Sequence, residues 1–278
     1  MDYNKMIDNL NKTVPEPVED TYMGEDGLLR CANCHGKRET MITIFGNSRK
    51  VNCVCQCERA AIKAEEEAIE KRANMRRIEE MRRTGFTDAK LMECTFENDD
   101  GSQPKVLHIA KNYVENFDEM KKTGKGLLLY GGVGTGKTYA AASIANALID
   151  KGVSAMVTNF ARISNKLQER FEKKQAYLDN LNKFDLLVLD DLAAERSTEY
   201  MQEIVYNVID ARYRAGLPMI ITTNLSLETI KNPPNATDNR IYDRILEKCF
   251  PVEVKGKSHR RKNIKDEYEN MKGLLGLN

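Results

Sequence analysis

Apolar and polar positions follow two different rhythms along this chain. In the second half, short apolar runs recur without alternation: Gly124 to Tyr130, Ala155 to Thr158, Asp185 to Leu189, Pro218 to Thr223 and Phe250 to Val254. Runs of this length predict parallel strands covered on both faces. Helical segments separate them, notably the Ala-rich Tyr139 to Lys151, then Thr198 to Ala215, and a stretch around Asn239 to Ile245. Strands alternating with helices predict an α/β domain whose ligand sits at the carboxyl ends of the strands. The first half reads otherwise. Thr40 to Phe45, a Gly46-Asn47 turn and Ser48 to Val51 predict a β-hairpin. Glu58 to Arg83 holds 15 charged residues of 26 and no Gly or Pro, with a thin apolar stripe. Opposite charges at i,i+4 (Glu67/Lys71 and Glu79/Arg83) predict a solvated helix that ends at Thr84-Gly85. It reads as a helical linker or as a docking helix for a partner. The expected organisation is therefore an N-terminal domain over 1–58, a charged helical linker over 59–84 and an α/β domain over 85–278.

Chemistry enters first at the second apolar run's predecessor. The strand ending at Tyr130 feeds into Gly131-Gly132-Val133-Gly134-Thr135-Gly136-Lys137-Thr138, a Walker A sequence, followed by the helix that begins near Tyr139. Glycines let backbone N–H groups wrap a phosphate, and the helix N-terminus favours an anion. Lys137 is placed to neutralise the β- and γ-phosphates of ATP or ADP, and the Thr138 hydroxyl to ligate Mg²⁺. The strand ending in Asp190-Asp191 has the Walker B form, with Asp190 as a second Mg²⁺ holder and Asp191 as the group that polarises the attacking water. Asn224, at the tip of the next strand, is placed to reach the γ-phosphate or that water. Its alternative is a plain helix cap before Ser226. Glu195 could assist the water, though a surface role suits it better. Arg240 and Arg244 share one helix face, and Arg260 follows the last strand. Guanidinium forks suit phosphoryl oxygens.

Cysteines change the picture of the first half. Five of the seven fall in Cys31-x-x-Cys34 and Cys53-x-Cys55-x-Cys57. Zn²⁺ takes four tetrahedral ligands, and two short thiolate turns supply them. The expected set is Cys31, Cys34, Cys55 and Cys57, with Cys53 as the rival; an unmetallated or redox set is the other reading. Cys31 to Gly36 has the form of a zinc knuckle, with Gly36 at the expected positive-φ position. Cys94 and Cys249 read as ordinary buried thiols. No stretch approaches the ~18 apolar residues of a membrane span. Met1 to Lys5 lacks the layout of a signal peptide, so the expected location is the cytoplasm.

Charge refines the picture last. With 43 basic and 42 acidic residues the net charge is only +1, which on its face disfavours a nucleic-acid partner. The distribution is uneven, however. Through Arg30 seven acids face three bases; from Arg240 onward ten bases face six acids. Arg162, Lys166 and Arg170 form an i,i+4,i+8 stripe after the second strand, where phosphate contact with single-stranded DNA is plausible beside a plain solvated face. Lys255, Lys257, Arg260, Arg261 and Lys262 form a second cluster.

In order and spacing, Gly-x-Gly-Lys-Thr at 134–138, Leu-Leu-Val-Leu-Asp-Asp at 186–191, Ile-Thr-Thr-Asn at 221–224, Arg-x-x-Asp-Arg-Ile at 240–245 and Gly-x-Ser-x-Arg at 256–260 resemble the DnaC/DnaI-type helicase loaders of bacteria and phage. These are AAA+ ATPases of the IstB-like ATP-binding superfamily. The resemblance spans about residues 85 to 265 and includes Thr95-Phe96-Glu97-Asn98 ahead of the core. It implies an AAA+ P-loop parallel sheet flanked by helices, with a small N-terminal zinc-binding domain that contacts the helicase. It implies Walker A roles for Lys137 and Thr138, Walker B roles for Asp190 and Asp191, and a sensor 1 role for Asn224. It makes Arg244 an arginine finger acting on a neighbouring subunit, with Arg240 its competitor, and Arg260 a sensor 2 arginine. The implied activity is ATP-dependent delivery of a hexameric replicative helicase onto single-stranded DNA. Asp191 departs from the Glu common in AAA+ proteins; one methylene shorter, it suits a slow switch more than a motor. Two further readings stay open: an IstB-type transposition helper, against which the cysteine cluster argues, and a regulatory module that senses ATP without useful hydrolysis.

Overall fold

The computed structural model describes residues 20–44, 46–169, 174–193, 198–256, 258, 268 and 271–277. The expectations placed on Arg170, Glu195, Lys257, Arg260, Arg261 and Lys262 fall outside them. The chain divides into two compact units, Met1–Met75 and Arg76–Asn278.

In the first unit, β1 (Thr21–Met23) pairs antiparallel with β2 (Leu29–Cys31), and β3 (Glu39–Ile44) with β4 (Asn47–Asn52). The second pair is the hairpin read from the sequence, shifted slightly: Asn47 pairs with Ile44, so it belongs to a strand and not to the turn. Backbone bonds tie the two ribbons together. Arg38 N–H donates to Leu29 O (2.8 Å) and Cys31 N–H to Gly36 O (2.9 Å), while Cys53 N–H donates to Arg38 O (2.7 Å) and extends the β3–β4 ladder. Positive φ in the knuckle falls on His35 (φ 54°), not on Gly36 as expected. The His35 ring meets Tyr22 edge-on, with Nδ1 3.0 Å from the phenol oxygen, so a side-chain contact supports the left-handed residue.

Helix α1 (Gln56–Gly85) follows. Its early turns are exposed, as the charge density requires. Among the described residues Glu67 pairs back to Lys63 (3.7 Å) and Arg83 pairs with Glu80 (2.8 Å), not with the i,i+4 partners expected. Near its end Ile78 and Met81 pack on the core of the second unit, and Arg77 donates to Gly152 O (2.8 Å). Gly85 lets the backbone come close: a Cβ there would lie 2.2 Å from Ala155 O.

The second unit carries α2 (Ala89–Met92), α3 (Pro104–Glu115), α4 (Phe117–Thr123), β5 (Gly126–Tyr130), α5 (Lys137–Asp150), β6 (Ala155–Asn159), α6 (Phe160–Glu169), α7 (Lys174–Leu181), β7 (Leu186–Leu192), α8 (Glu199–Arg214), β8 (Met219–Thr223), α9 (Leu227–Lys231), α10 (Ala236–Lys248) and β9 (Cys249–Glu253). The five strands form one parallel sheet in the order β6-β7-β8-β5-β9. The apolar runs show no alternation because both faces are covered. Leu127, Leu129, Leu186, Val188 and Ile220 face the cluster with α3 and α5; Leu128, Leu187, Leu189, Met219 and Ile221 face the cluster with α6, α8 and α10. Each such side chain contributes about 1.5–3 kcal/mol by leaving water. No described helix is long and apolar enough to cross a membrane.

Candidate functional site

The carboxyl ends of β5, β7 and β8 bring the sequence-predicted residues together. The turn from β5 into α5 runs through Gly134 (φ 77°), a left-handed position that strains any other residue, and a Cβ there would push on the Ser258 hydroxyl 2.2 Å away. Lys137, at the first turn of α5, is 6% exposed. Its Nζ donates to Gly131 O (3.0 Å), Gly132 O (2.7 Å) and Asn224 Oδ1 (2.7 Å). Thr135 donates to Gly132 O (3.0 Å) and closes the loop on itself. Val133 stands exposed at its tip.

Thr138 Oγ1 donates to Asp190 Oδ1 (2.8 Å), the pairing that a shared Mg²⁺ would need. The donor set, one hydroxyl and one carboxylate beside a phosphate-binding loop, fits a hard cation that keeps most of its waters. Asn224 spans the site: its Oδ1 accepts from Lys137, and its Nδ2 donates to Asp191 Oδ1 (3.2 Å). Asp191 itself is left-handed (φ 62°). Asn224 thus connects the P-loop to Asp191; it does not cap α9, whose cap is Ser226.

A cleft of about 230 Å³ opens beside Gly136, walled by Asn98, Gln103, Val106, Tyr139 and Ser143. The Tyr139 hydroxyl donates to Thr95 O (2.7 Å), which holds the segment around Thr95 against α5, and Asn98 Nδ2 donates to Glu93 O (3.0 Å) within the segment. Burial pushes the Tyr139 phenol up. The Walker A reading reached this cleft at Gly136 and Tyr139, and the Thr95–Asn98 resemblance pointed to its other wall; Asp99 to Leu107 gave no sequence signal of it.

The two arginine candidates differ in their surroundings. Arg244 forms an ion pair with Asp210 (2.7 Å) and donates to the Tyr206 hydroxyl (3.3 Å), with its guanidinium 4.9 Å from the Tyr206 ring centre. Arg240 is exposed on the same helix. In the basic stripe, Arg162 is turned to the fold, donating to Thr87 O (2.5 Å), while Lys166 is exposed. Cys94 Sγ meets Lys90 O, and Cys249 is buried against Met219 O with its thiol pushed up to about 12 by that burial.

In the first unit Cys31, Cys34, Cys55 and Cys57 converge, their sulfurs all within 4.8 Å of one another. Cys57 Sγ lies 3.4 Å from Cys31, 3.2 Å from Cys55 and 3.5 Å from Cys34. A zinc tetrathiolate with ~2.3 Å bonds has sulfurs at closely similar separations, so the donor set fits Zn²⁺. Cys53 turns away, its sulfur 3.3 Å from Lys37 O. Burial raises the Cys55 thiol, but hydrogen bonds from Cys57 and from Arg38 outweigh it and hold it down to about 7. Cys57, bonded to Cys55, Cys31 and Cys34, is pushed up to about 12. Four thiolates this close repel one another, which a divalent cation offsets. Buried Arg38 adds a further cation, 3.8 Å from Cys55 and ion-paired to Glu58. Sequence reading passed over Arg38, because one base after a knuckle looks like any solvated charge.

Residues 58–267 match the family described as IstB-like ATP binding protein. The replicative helicase loader DnaI of Bacillus subtilis is 29% identical over 192 residues, 63% of this chain and 61% of that protein. The replicative helicase loader DnaC of Buchnera aphidicola (subsp. Schizaphis graminum) is 28% identical over 251 residues, 87% of this chain and 89% of its own. The chain thus spans about three fifths of the Bacillus relative's length. The crystal structure of DnaI superposes with a TM-score of 0.52 at 27% identity, over 62% of this chain and 96% of that one. The parallel sheet is therefore of the AAA+ type. With the match running through most of its length and the P-loop assembled as described, the chain belongs to the family of IstB-like ATP-binding proteins.

Proposed function

We propose that this protein is a cytoplasmic ATPase that uses ATP as a slow switch to load a hexameric replicative helicase onto single-stranded DNA. The observation that carries the reading is the Lys137–Asn224–Asp191 chain of hydrogen bonds, which couples the phosphate loop to the residue that would orient water. It stands beside the likeness to proteins described as replicative helicase loaders. The P-loop holds the phosphates, Lys137 offsets their charge, and the cleft beside Gly136 seats the base. Thr138 and Asp190 hold Mg²⁺, which when bound supplies the Lewis-acid charge for phosphoryl transfer. Asp191 orients and polarises the water, and its short side chain keeps basal turnover below about one per second, at the low end of enzyme rates.

In this reading Arg244 leaves Asp210 to act on a neighbouring subunit's ATP, and Arg260 reaches the phosphates from its own chain. The residues after β6 and at the C-terminal end contact DNA phosphates. The cysteine unit, 1–58, binds one zinc and docks the helicase; 59–84 links it to the ATPase domain over 85–278. A transposition helper is the second reading, favoured by the family description itself. Co-purification of the full chain with a replicative helicase separates the two. Stable, ATP-modulated association is expected; no association, with binding instead to a transposase on duplex DNA, would replace the first reading by the second.

A further inference from the structure

The strand β7 breaks register where its two acids lie. It pairs Leu189 with Ile221 and then Leu192 with Thr223. Asp190 and Asp191 on β7 therefore oppose one residue on β8, Thr222, which is a β-bulge in a parallel pair. The bulge puts Asp191 at φ 62°, a conformation that costs a non-glycine residue about 1 kcal/mol or more and persists only when its surroundings hold it. Thr222 is fully buried. Its single hydroxyl serves both acids: it donates to Asp190 Oδ1 (2.6 Å) and accepts from the Asp191 N–H (2.9 Å). One proton and one lone pair are used, with no conflict. Thr138 donates to the same Asp190 oxygen (2.8 Å).

We propose that Thr222 is a positioning residue for ATP hydrolysis: its hydroxyl fixes the Asp190 carboxylate for Mg²⁺ and pins the Asp191 backbone so that its side chain meets the water. This rests on the ATPase reading above and adds to it a residue that touches neither nucleotide nor water. A hydroxyl is required because no other side-chain group of that volume both donates to a carboxylate and accepts from an amide. Valine has the same shape and does neither; it would leave the Asp191 N–H without its partner and free the bulge to relax. Asn224, which reaches Asp191 Oδ1, would then be aimed at a displaced carboxylate.

The test is steady-state hydrolysis by the full chain as wild type, Thr222→Val and Thr222→Ser, with Mg²⁺ titrated, alongside binding of a fluorescent ATP analogue without Mg²⁺. Thr222→Val is expected to lower kcat about 10- to 100-fold, less than the ~10²–10⁴-fold for removing a base outright, because Asp191 is displaced and not lost. It should raise the Mg²⁺ concentration for half-maximal rate, while Mg²⁺-free nucleotide affinity stays within about threefold of wild type. Thr222→Ser should restore kcat to within a few-fold. Wild-type kcat in Thr222→Val overturns the proposal, as does a Thr222→Ser variant no better than Thr222→Val, which would make the residue mere packing. So does a loss of nucleotide affinity that parallels the loss of kcat. A wild-type chain that binds ATP and never hydrolyses it sinks the ATPase reading itself, and this proposal with it, whereas the first three outcomes leave that reading standing.

Discussion

Asp191 concentrates the site's chemistry in one residue. Its left-handed backbone suits Asp and Asn better than longer side chains, since a short polar group tolerates that region. Its carboxylate receives the Asn224 amide, which also faces Lys137. Replacing Asp191 with Asn keeps the shape and removes the charge proposed to polarise water. Hydrolysis should fall about 10²–10⁴-fold with ATP binding unchanged; single-turnover assays and direct binding read the two separately, and wild-type hydrolysis by Asp191→Asn would remove Asp191 from that role. The acids, Lys137 and Asn224 were legible because each ends an apolar run or sits in the P-loop. Thr222 was not: a Thr in a strand looks like an ordinary β-former, and only the two-against-one register exposes its double duty. Arg212 was equally hidden. Mid-helix, it resembles any surface base, yet it is fully buried and donates to the carbonyls of Pro218, Leu181, Phe184 and Asp185. Burial holds its guanidinium down to about 10.

Between elements, polar contacts set how the sheet meets its helices. Asp185, just before β7, accepts from Ser154 just before β6 (3.0 Å) and pairs with Lys121 on α4 (2.7 Å). Burial pushes its carboxyl up, but the bonds from Lys121 and Ser154 prevail and hold it below its usual value. The ionised form therefore stabilises the fold above the unfolded pKa of about 4, and that contribution is lost as pH falls through the lower folded value. Asp185→Asn should reduce stability near neutrality and flatten its decline on the acid side. Urea melts between pH 7 and pH 2 read this; parallel curves for variant and wild type would contradict it. The five parallel strands, the β3–β4 hairpin and the long helices α1, α5 and α8 were legible from apolar runs, turn residues and charge patterning, whereas the short β1–β2 pair was not. Short helices such as α2, α7 and α9 were not, because one or two turns held by tertiary contacts leave no periodic signature. The hairpin was found with its turn one position late, since Gly46-Asn47 satisfies turn chemistry as well as the true register does.

Over the whole molecule, near-neutral charge conceals an acidic stretch through Arg30 and a basic one from Arg240 onward. Neither shows in the total. The cysteines divide just as unevenly, four in one cluster and three outside it. One zinc per chain is expected by elemental analysis of the full protein. Cys53→Ser should retain it, because the Cys53 sulfur faces Lys37 O, and Cys55→Ser should lose it together with helicase association. Metal loss in Cys53→Ser, or a metal-free wild type prepared under reducing conditions, would contradict the assignment. Spacing alone could not choose between Cys53 and its neighbours, since Cys53, Cys55 and Cys57 would share one face of a strand; the turn from β4, ending at Asn52, into α1, starting at Gln56, separates their directions.

The central claim is ATP-driven loading, and it is tested most directly by placing a hexameric replicative helicase on closed-circular single-stranded DNA coated with single-strand-binding protein, and counting loaded helicase with and without this protein. The account predicts loading that requires both the protein and ATP and is lost in Lys137→Ala, whose P-loop cannot neutralise the phosphates. Equal loading without the protein, or undiminished loading by Lys137→Ala, would contradict it.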